Sequence, residues 1–388
     1  MRSRTLLRGI AWHHSRALPP LVATAQRFEE LHAEVDVRWE RRSLHDFGHA
    51  DLTSLASHYD LLVIDHPAMG EAYDSHALVD LSESFEAAFL ENLASDSCGR
   101  SYESYCYQGK VFALPIDAAA PAASYRPDLL HRADAEIPQT WNDVLNLARK
   151  KLVVMPGFHA DVFLNFMGMC VSLGASIGVG AEELVDSGTG RQCLQLLREL
   201  ASFIPAEIYE WNPIAVYENM AASDLYAFCP FAFSYSNYSR TGFAKNLILF
   251  SNPVPLVQGR PFHSVLGGTG IAISASCKSP EVAVDYARQL TGETWQRTLY
   301  GLSGGQPARR SAWKDSTLNR VSNGFFERTL DSIERAYVRP RYPRYVQFQA
   351  EAGVPIVRYL QGAGTPASTL DQLNALYRQS RRAIHPEH

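Results

Sequence analysis

The chain has 388 residues, of which 46% are hydrophobic, so it is long enough for two domains that each bury a core. Its formal net charge of -5 gives no support to nucleic acid or an anionic membrane surface as a partner. The sequence contains no run of about 20 apolar residues, so we expect no transmembrane helix.

Six cysteines are scattered through the chain without a C-x-x-C pair or a zinc-like spacing. They are Cys98, Cys106, Cys170, Cys193, Cys229 and Cys277. We interpret them as reduced thiols in a reducing compartment. The start of the chain is basic, but the apolar run that follows is short and is interrupted by Arg8, unlike a secretory signal. We therefore expect a cytoplasmic protein if Met1 is the native start, and a periplasmic or extracellular protein if a signal peptide was removed.

The first 40 residues predict the order strand, helix, strand. Thr5–Trp12 is strand-like, and a helix is predicted from Pro19, because proline is tolerated in a first helical turn. Val35–Trp39 alternates between apolar and polar residues, which is typical of a strand. This order predicts a parallel β-α-β unit.

A continuous apolar run at residues 59–64 favours a strand that is covered on both faces. Asp65 and His66 follow this run directly. Ligands of open α/β sheets bind beyond the carboxyl ends of the strands, so these two side chains stand in a ligand position. The alternative is that Asp65 only caps the next helix.

Two further segments carry clear turn or cap signals. Gly109 predicts a turn, followed by a strand that ends at Pro115 and leads to Asp117. In the segment 138–145, Thr140 is expected to cap a helix whose apolar face follows at helical spacing.

The middle of the chain predicts a strand at 153–155, helices at 160–173 and 187–203, and a second strand at 226–231. The segment 235–240, YSNYSR, is the most polar-aromatic cluster of the chain. Aromatic planes together with hydroxyl and amide groups suit sugar rings, which offer C–H faces and hydroxyl edges. The alternative is a surface loop with packed tyrosines.

The segment 265–310 opens with three glycines at 267–270, continues as the apolar strand Ile271–Ile273, and then predicts a helix at 280–290. Glycines beside a strand let another backbone or a ligand come close, because no Cβ stands in the way. The alternative is a tight strand entry followed by a packed helix.

The patterns of several enzyme classes are absent. The chain has no G-x-S-x-G, no H-E-x-x-H, no Walker A and no G-x-G-x-x-G after a strand. His13 and His14 cannot easily share one metal, because adjacent strand residues point to opposite faces. We expect no metal and no cofactor. Cys106 is a candidate nucleophile only if a base lies near it in space, and a structural role is favoured.

Taken together, the segments resemble extracellular solute-binding proteins of the carbohydrate ABC-transporter type (family 1-like). The strongest matches are 109–117, which contains G-K-x-x-A-L-P, 138–145, which contains P-x-T-W-x-D, and 267–309. The resemblance extends from Trp12 to about Arg341.

The resemblance implies an α/β protein with the periplasmic-binding-protein type II fold, in which two α/β lobes surround a cleft and are joined by hinge crossings. Lobe one is expected to hold residues 1–117 and 267–313, and lobe two residues 118–266. Residues 314–388 are expected to form C-terminal helices that pack across both lobes.

The resemblance also implies capture of a small polar ligand, a carbohydrate or sugar derivative, as the solute-binding component of an ABC transporter, with a permease as partner. Asp65 and Asp117 are expected to accept hydrogen bonds from hydroxyls, and Tyr235 and Tyr238 to stack or donate. Arg309 would favour a ligand with a carboxylate or phosphate. The candidate ligand-binding residues are Trp12, His13, Asp65, His66, Asp117, Tyr235, Asn237, Tyr238, Gly268 and Arg309.

A second interpretation stays open, because the start does not read as a signal and His13 and His66 are more than a plain sugar site needs. It is a cytoplasmic enzyme or ligand sensor built on the same fold, acting on a small polar or acidic substrate. A binding protein returns its ligand unchanged, whereas an enzyme does not.

Overall fold

Residues 4–43 and 51–382 are described by the computed structural model. The chain divides into two units, each assembled from separate segments. Unit 1 consists of Met1–Ala119, Leu266–Leu330 and Val338–Val346. Unit 2 consists of Ala120–Val265, Asp331–Tyr337 and Gln347–His388.

Strands and helices alternate along the first part of the chain, and helices dominate the last part. The strands are β1 Thr5–Trp12, β2 Val35–Arg42, β3 Leu61–Ile64, β4 Cys106–Tyr107, β5 Lys110–Val111, β6 Leu114–Ala119, β7 Pro121–Tyr125, β8 Phe228–Phe233, β9 Leu249–Ser251 and β10 Gly267–Ile273. The α-helices are α1 Leu18–Leu31, α2 Leu52–His58, α3 Met69–Ser75, α4 Ala87–Ser95, α5 Ser101–Ser104, α6 Pro127–Arg132, α7 Trp141–Arg149, α8 His159–Ser172, α9 Ser187–Ala201, α10 Pro213–Ala222, α11 Pro280–Thr291, α12 Glu293–Trp295, α13 Arg310–Trp313, α14 Ser316–Val321, α15 Phe325–Glu334, α16 Tyr345–Leu360 and α17 Pro366–Arg382. Turns of 3-10 helix lie at His66–Ala68, Ala206–Glu210 and Ser236–Ser239, and a π-helical turn lies at Gln296–Tyr300.

The sheet of unit 1 has the strand order β2-β1-β3-β10-β6. Strand β1 is parallel to β2 and to β3, so the predicted parallel β-α-β unit is confirmed. Strand β10 is antiparallel to both of its neighbours, β3 and β6. It therefore enters the sheet in the opposite direction from the strands that precede it.

Both faces of this sheet are covered by helices. One face packs with α1 and α11, which contribute Leu21, Phe28 and Tyr286 to a single apolar core. The other face packs with α2 and α3 through Leu52 and Met69. All four residues of β3 are buried, as expected for a strand covered on both sides.

The predicted end of a strand at Pro115 is wrong, because β6 continues through Asp117 to Ala119. Pro115 lacks a backbone N–H and would break a central strand. Strand β6 is the last strand of its sheet, with β10 as its neighbouring strand and one isolated bridge from Asp117 to Pro307, so the missing donor of Pro115 is tolerated there. Asp117 consequently lies within the strand instead of after it.

Unit 2 contains a three-stranded antiparallel sheet in the order β8-β7-β9. The predicted strand at 153–155 is reduced to one isolated bridge, Val153 to Phe228. The predicted cap of α7 is confirmed, since Thr140 and Asp143 form a reciprocal capping box.

The last two helices contribute to the core of unit 2. The ring of Phe348 in α16 lies 5.6 Å from that of Phe163 in α8 and 5.5 Å from that of Tyr377 in α17. Across the described ranges 4–43 and 51–382, no helix has the length and apolar character needed to cross a membrane.

Gly268 allows the close approach of β10 to β6. Its φ is +103°, and a Cβ at this position would lie 2.2 Å from the Asp117 carbonyl oxygen.

Gly268→Ala is expected to lower the free energy of unfolding by roughly 3 kcal/mol or more, because the costs of backbone strain and of overpacking add. Urea unfolding measures the change. The control Gly180→Ala, where nothing lies within 4 Å, should stay near wild type, and equal losses in the two variants would contradict this account.

Candidate functional site

The strand directions of unit 1 bring most of its candidate residues to one edge of the sheet. The carboxyl ends of β1, β3 and β6 and the amino end of β10 share this edge, because Ile64 pairs with Gly270 and Asp117 with Thr269. We call it the polar edge. It comprises Trp12, His13, Asp65, His66, Asp117, Gly268 and Thr269.

Asp117 is held by a buried arginine that the sequence analysis did not identify. The Nε of Arg16 donates to Asp117 Oδ2 at 2.9 Å, and a terminal nitrogen of Arg16 donates to Oδ1. Both side chains are almost completely buried. The Arg16 guanidinium also lies over the Trp12 ring, 5.9 Å from its centroid. Asp117 therefore forms a buried bidentate ion pair, in which removal of one partner is costly.

Asp65 forms a second bidentate pair at the same edge. Arg339 donates to both of its carboxylate oxygens, at 2.8 and 2.7 Å, and also to the backbone carbonyl of Leu266 at 3.1 Å. Burial on its own raises the pKa of Asp65, but the Arg339 guanidinium outweighs it and lowers the pKa to about 2. The Asp65 side chain keeps 31% of its exposure, so it can accept a further hydrogen bond. It also caps the next turn by accepting from the His66 amide.

Two buried side chains of the polar edge have hydrogen-bonding atoms without a protein partner. His66 is 1% exposed, and its Nδ1 lies 3.2 Å from Asp65 Oδ1. Within residues 4–43 and 51–382, neither His66 Nε2 nor Thr269 Oγ1 has a hydrogen-bond partner. Burial, with the Arg339 guanidinium adding to it, lowers the pKa of His66 to about 4. His66 is therefore neutral near pH 7 and has one unused ring nitrogen.

The structure places Arg309 away from the polar edge, among structural contacts. Its Nε donates to the Thr291 carbonyl at 2.9 Å, and a terminal nitrogen donates to Asn92 Oδ1 at 2.7 Å. The same guanidinium lies 3.6 Å from Asp96, and burial lowers the pKa of Arg309. These contacts join the end of α4 to the end of α11.

The candidates of unit 2 lie in and just before the 3-10 turn after β8, and all three are buried: Tyr235, Asn237 and Tyr238. The Tyr238 hydroxyl donates to Glu218 at 2.5 Å, and its ring lies 5.2 Å from that of Tyr217. Burial, followed by Glu218, raises the pKa of Tyr238. The segment is thus not a surface loop, although its tyrosines do pack on other aromatic rings.

Several polar residues were not identified from the sequence. Arg16 and Arg339 follow no spacing pattern that would connect them to their carboxylates. Thr269 lies between the glycines of the segment 265–310. The glycine pattern that predicts a close approach of a backbone or a ligand therefore also covers Thr269.

In unit 2, burial raises the pKa of Asp161 in the first turn of α8 to about 7. Among the described residues, this carboxylate has neither an ion pair nor a hydrogen bond.

Comparison with known proteins relates the chain to one family. The family model described as bacterial extracellular solute-binding protein matches residues 23–320. A solute-binding protein of an ABC transporter from Agrobacterium radiobacter K84, in complex with ribitol, has a TM-score of 0.80 and 20% identity, over 97% of this chain and 99% of that chain. Maltose-bound MalE3 of T. maritima has a TM-score of 0.83 and 17% identity, over 98% and 100%.

A further solute-binding protein, from Agrobacterium vitis S4 with bound D-mannitol, has a TM-score of 0.79 and 17% identity, over 99% and 100%. At such identities the likeness shows a shared fold. The expected class, α/β with the type II periplasmic-binding-protein fold, is confirmed.

The buried pair of Asp117 and Arg16 predicts a large effect of a single substitution. Asp117→Ala leaves the Arg16 guanidinium buried without its carboxylate and should lower the free energy of unfolding by about 3–5 kcal/mol. Arg16→Met combined with Asp117→Leu should recover most of this loss, because no buried charge remains. Urea unfolding compares the variants. Glu30→Ala, which removes an exposed partner 2.7 Å from Arg27, is the control. A loss in Asp117→Ala no greater than in this control would refute the structural role.

His66 predicts a pH dependence of stability. Its pKa is about 4 in the folded protein and 6.5 in the unfolded chain, so the unfolded state binds the proton more tightly. Stability therefore falls as the pH is lowered from 6.5 toward 4, and His66 should account for about 2 kcal/mol between pH 7 and pH 5.

His66→Gln should reduce the loss of stability between pH 7 and pH 5, and the exposed His131→Gln should keep the wild-type slope. His14, whose pKa burial lowers to about 3, leaves a residual slope in the His66 variant. Urea unfolding at pH 5, 6 and 7 provides the measurement. Identical slopes in wild type and His66→Gln would show that His66 does not titrate in this way.

Proposed function

This chain belongs to the bacterial extracellular solute-binding protein family, and from that membership we propose that it captures a small uncharged polyhydroxylated compound, a sugar or polyol, for an ABC transporter. Structurally similar proteins support the ligand class, since three of them hold ribitol, maltose and D-mannitol. All three compounds are uncharged and rich in hydroxyls. The proposed partner is the permease of such a transporter, and the proposed place of action is outside the cytoplasm.

The single observation that supports this function in the chain itself is the pair of unsatisfied polar atoms at the polar edge. A buried donor or acceptor without a partner costs about 1–3 kcal/mol. His66 Nε2 and Thr269 Oγ1 both carry that cost, and a ligand hydroxyl, which donates and accepts, can relieve it at either atom. Asp65, with its partly exposed carboxylate, supplies an acceptor beside them.

Buried charge at this edge is already balanced. Asp65 pairs with Arg339 and Asp117 pairs with Arg16, so each pair is neutral as a whole, and the partly exposed Asp65 presents carboxylate oxygens that accept hydrogen bonds. Such a setting favours hydroxyl recognition over ion pairing. We therefore assign Asp65, His66 and Thr269 to ligand contact, and Asp117 with the arginines to positioning of the edge.

The remaining candidates from the sequence come after Asp65, His66 and Thr269 as proposed ligand contacts. Trp12 and Gly268 belong to the polar edge, and His13 lies there with its Nε2 3.1 Å from Arg41. Tyr235, Asn237 and Tyr238 form the proposed contribution of unit 2. For Arg309, the contacts with Thr291 and Asn92 support a structural role instead of binding to an anionic ligand.

Ribitol, D-mannitol and maltose are the probes for the first test of the ligand class. At a concentration of about 100 times its Kd, a ligand should raise the free energy of unfolding by roughly 2.7 kcal/mol, which a thermal shift detects. Mass spectrometry of the released compound should show it chemically unchanged. Stabilisation by a sugar acid and by none of the three probes would contradict the uncharged class, and a changed mass would favour an enzyme.

Thr269→Val separates ligand binding from folding. Valine has nearly the shape of threonine, and the hydroxyl that it removes has no protein partner, so stability without ligand should be equal or higher. Affinity for the stabilising probe should fall at least about tenfold, since one hydrogen bond to the ligand is lost. Isothermal titration calorimetry and urea unfolding measure the two effects.

Thr24→Val is the matched control for this variant. Thr24 is fully buried, but its hydroxyl donates to the Pro20 carbonyl at 2.9 Å. This control should lose stability by about 1 kcal/mol and keep the affinity for the probe. The opposite pattern, with binding lost in Thr24→Val and kept in Thr269→Val, would remove Thr269 from the site.

A further inference from the structure

One short segment of unit 1, Val338–Val346, packs with its backbone on the helix that follows His66. The 3-10 turn that begins at His66 leads directly into α3, and Gly70 is the second residue of that helix. A Cβ at Gly70 would lie 2.2 Å from the Arg341 carbonyl oxygen. The segment therefore crosses the start of α3 at a place that has no room for a side chain.

The side chain of Arg341 holds the chain around Tyr105. One terminal nitrogen of its guanidinium donates to three backbone carbonyls, those of Glu103 at 2.6 Å, Ser104 at 3.2 Å and Cys106 at 2.6 Å. These carbonyls lie on both sides of Tyr105 in the sequence. The guanidinium consequently fixes the backbone from which the Tyr105 ring projects.

Tyr105 is buried against groups of the polar edge. Its ring meets the His66 ring edge-on, with the centroids 6.2 Å apart and the planes at 89°. Its hydroxyl donates to the carbonyl of Ile64, the last residue of β3, at 3.3 Å. A Cβ at Gly270, the neighbour of Thr269 in β10, would lie 2.9 Å from the same ring. Tyr105 thus contacts both strands that carry the proposed ligand contacts.

We propose that Arg341 is a positioning residue of the ligand site, which holds His66 in the orientation that contact with the ligand needs. This inference rests on the proposed function, because it concerns the same polar edge. Arg341 acts by two routes. Its backbone limits the position of α3 at Gly70, and its guanidinium secures Tyr105, which packs on the His66 ring.

Neither route requires Arg341 to touch the ligand. A binding group has to be held within about 0.5 Å of its productive position, and the packing and hydrogen bonds of the surrounding residues provide this precision. His66 Nε2 has no protein partner that would fix the ring from the ligand side. The orientation of the ring therefore depends on the contacts made by the rest of His66.

The geometry of the carbonyl contact predicts which substitution preserves it. All three carbonyls are bonded by one nitrogen of Arg341. A lysine ammonium also carries three N–H donors on one nitrogen and has the same charge. Arg341→Lys should therefore keep Tyr105 in place, whereas Arg341→Met removes the donor from all three carbonyls.

The first measurement is the nuclear Overhauser effect between the ring protons of His66 and Tyr105, in the ligand-free full chain with labelled histidine and tyrosine. We expect this ring contact in wild type and in Arg341→Lys, and we expect it to weaken or disappear in Arg341→Met. Gly70→Ala should weaken it as well, because the added methyl displaces the segment while every charge is kept. His66→Gln identifies the signal.

The second measurement is the affinity for whichever of ribitol, D-mannitol and maltose stabilises the wild type. Arg341→Met and Gly70→Ala should each bind this probe about tenfold more weakly, and Arg341→Lys should stay near wild type. Arg198→Met is the matched control. Arg198 is also a half-buried arginine that donates to a backbone carbonyl, that of Tyr359, but it lies on α9 of unit 2. This control should lose stability and keep both the affinity and the ring contact.

Two results would overturn the proposal. One is an unchanged ring contact and an unchanged affinity in Arg341→Met and Gly70→Ala, which would leave Arg341 with a structural role alone. The other is a loss of affinity in Arg341→Lys with its ring contact kept, which would make Arg341 a direct ligand contact. Failure of all three probes to bind the wild type would count against the proposed function, and the ring contact, measured without ligand, would still decide whether Arg341 positions His66.

Discussion

The insertion of β10 between β3 and β6 is the constraint on which unit 1 depends. This strand comes from a segment about 150 residues after β6 and runs antiparallel to both neighbours. The missing side chain of Gly268 lets the Asp117 carbonyl come close enough for the pairing. Without this strand, the ends of β3 and β6 would not lie at adjacent places on one edge. The polar edge is therefore a product of a long-range strand pairing.

The same edge combines buried charge with the proposed ligand contacts in a small region. Asp65 and Asp117 were candidates because of their places at or near strand ends, and each is paired with an arginine from a different part of the chain. The arginines satisfy the carboxylates, so in the proposed site the neutral groups nearby recognise the ligand. His66 remains neutral because burial and Arg339 both oppose its protonation. A site of this kind distinguishes hydroxyl geometry more readily than charge.

The elements that can be predicted from the sequence are those that depend on short-range interactions. The first strand and the Thr140 cap were predicted correctly, because periodicity and capping depend on residues only a few positions apart. Pro115 was misjudged, since its effect depends on whether its strand lies at the edge or in the middle of the sheet. The segment 153–155 has an apolar pattern suitable for a strand, but it finds only a single bridge to Phe228. In both cases the partner strand decided the outcome.

By itself, the sequence determined the local elements, the α/β class and, through resemblance, the family. It also located the glycines that form the start of β10 and the polar residues that follow β3. Only the tertiary structure decided which of these groups meet. Arg339 lies 274 residues from Asp65, and Arg16 lies 101 residues from Asp117, so no local pattern connects them. The physical reason is that an ion pair depends on where two distant segments come together in space, which neither residue specifies alone.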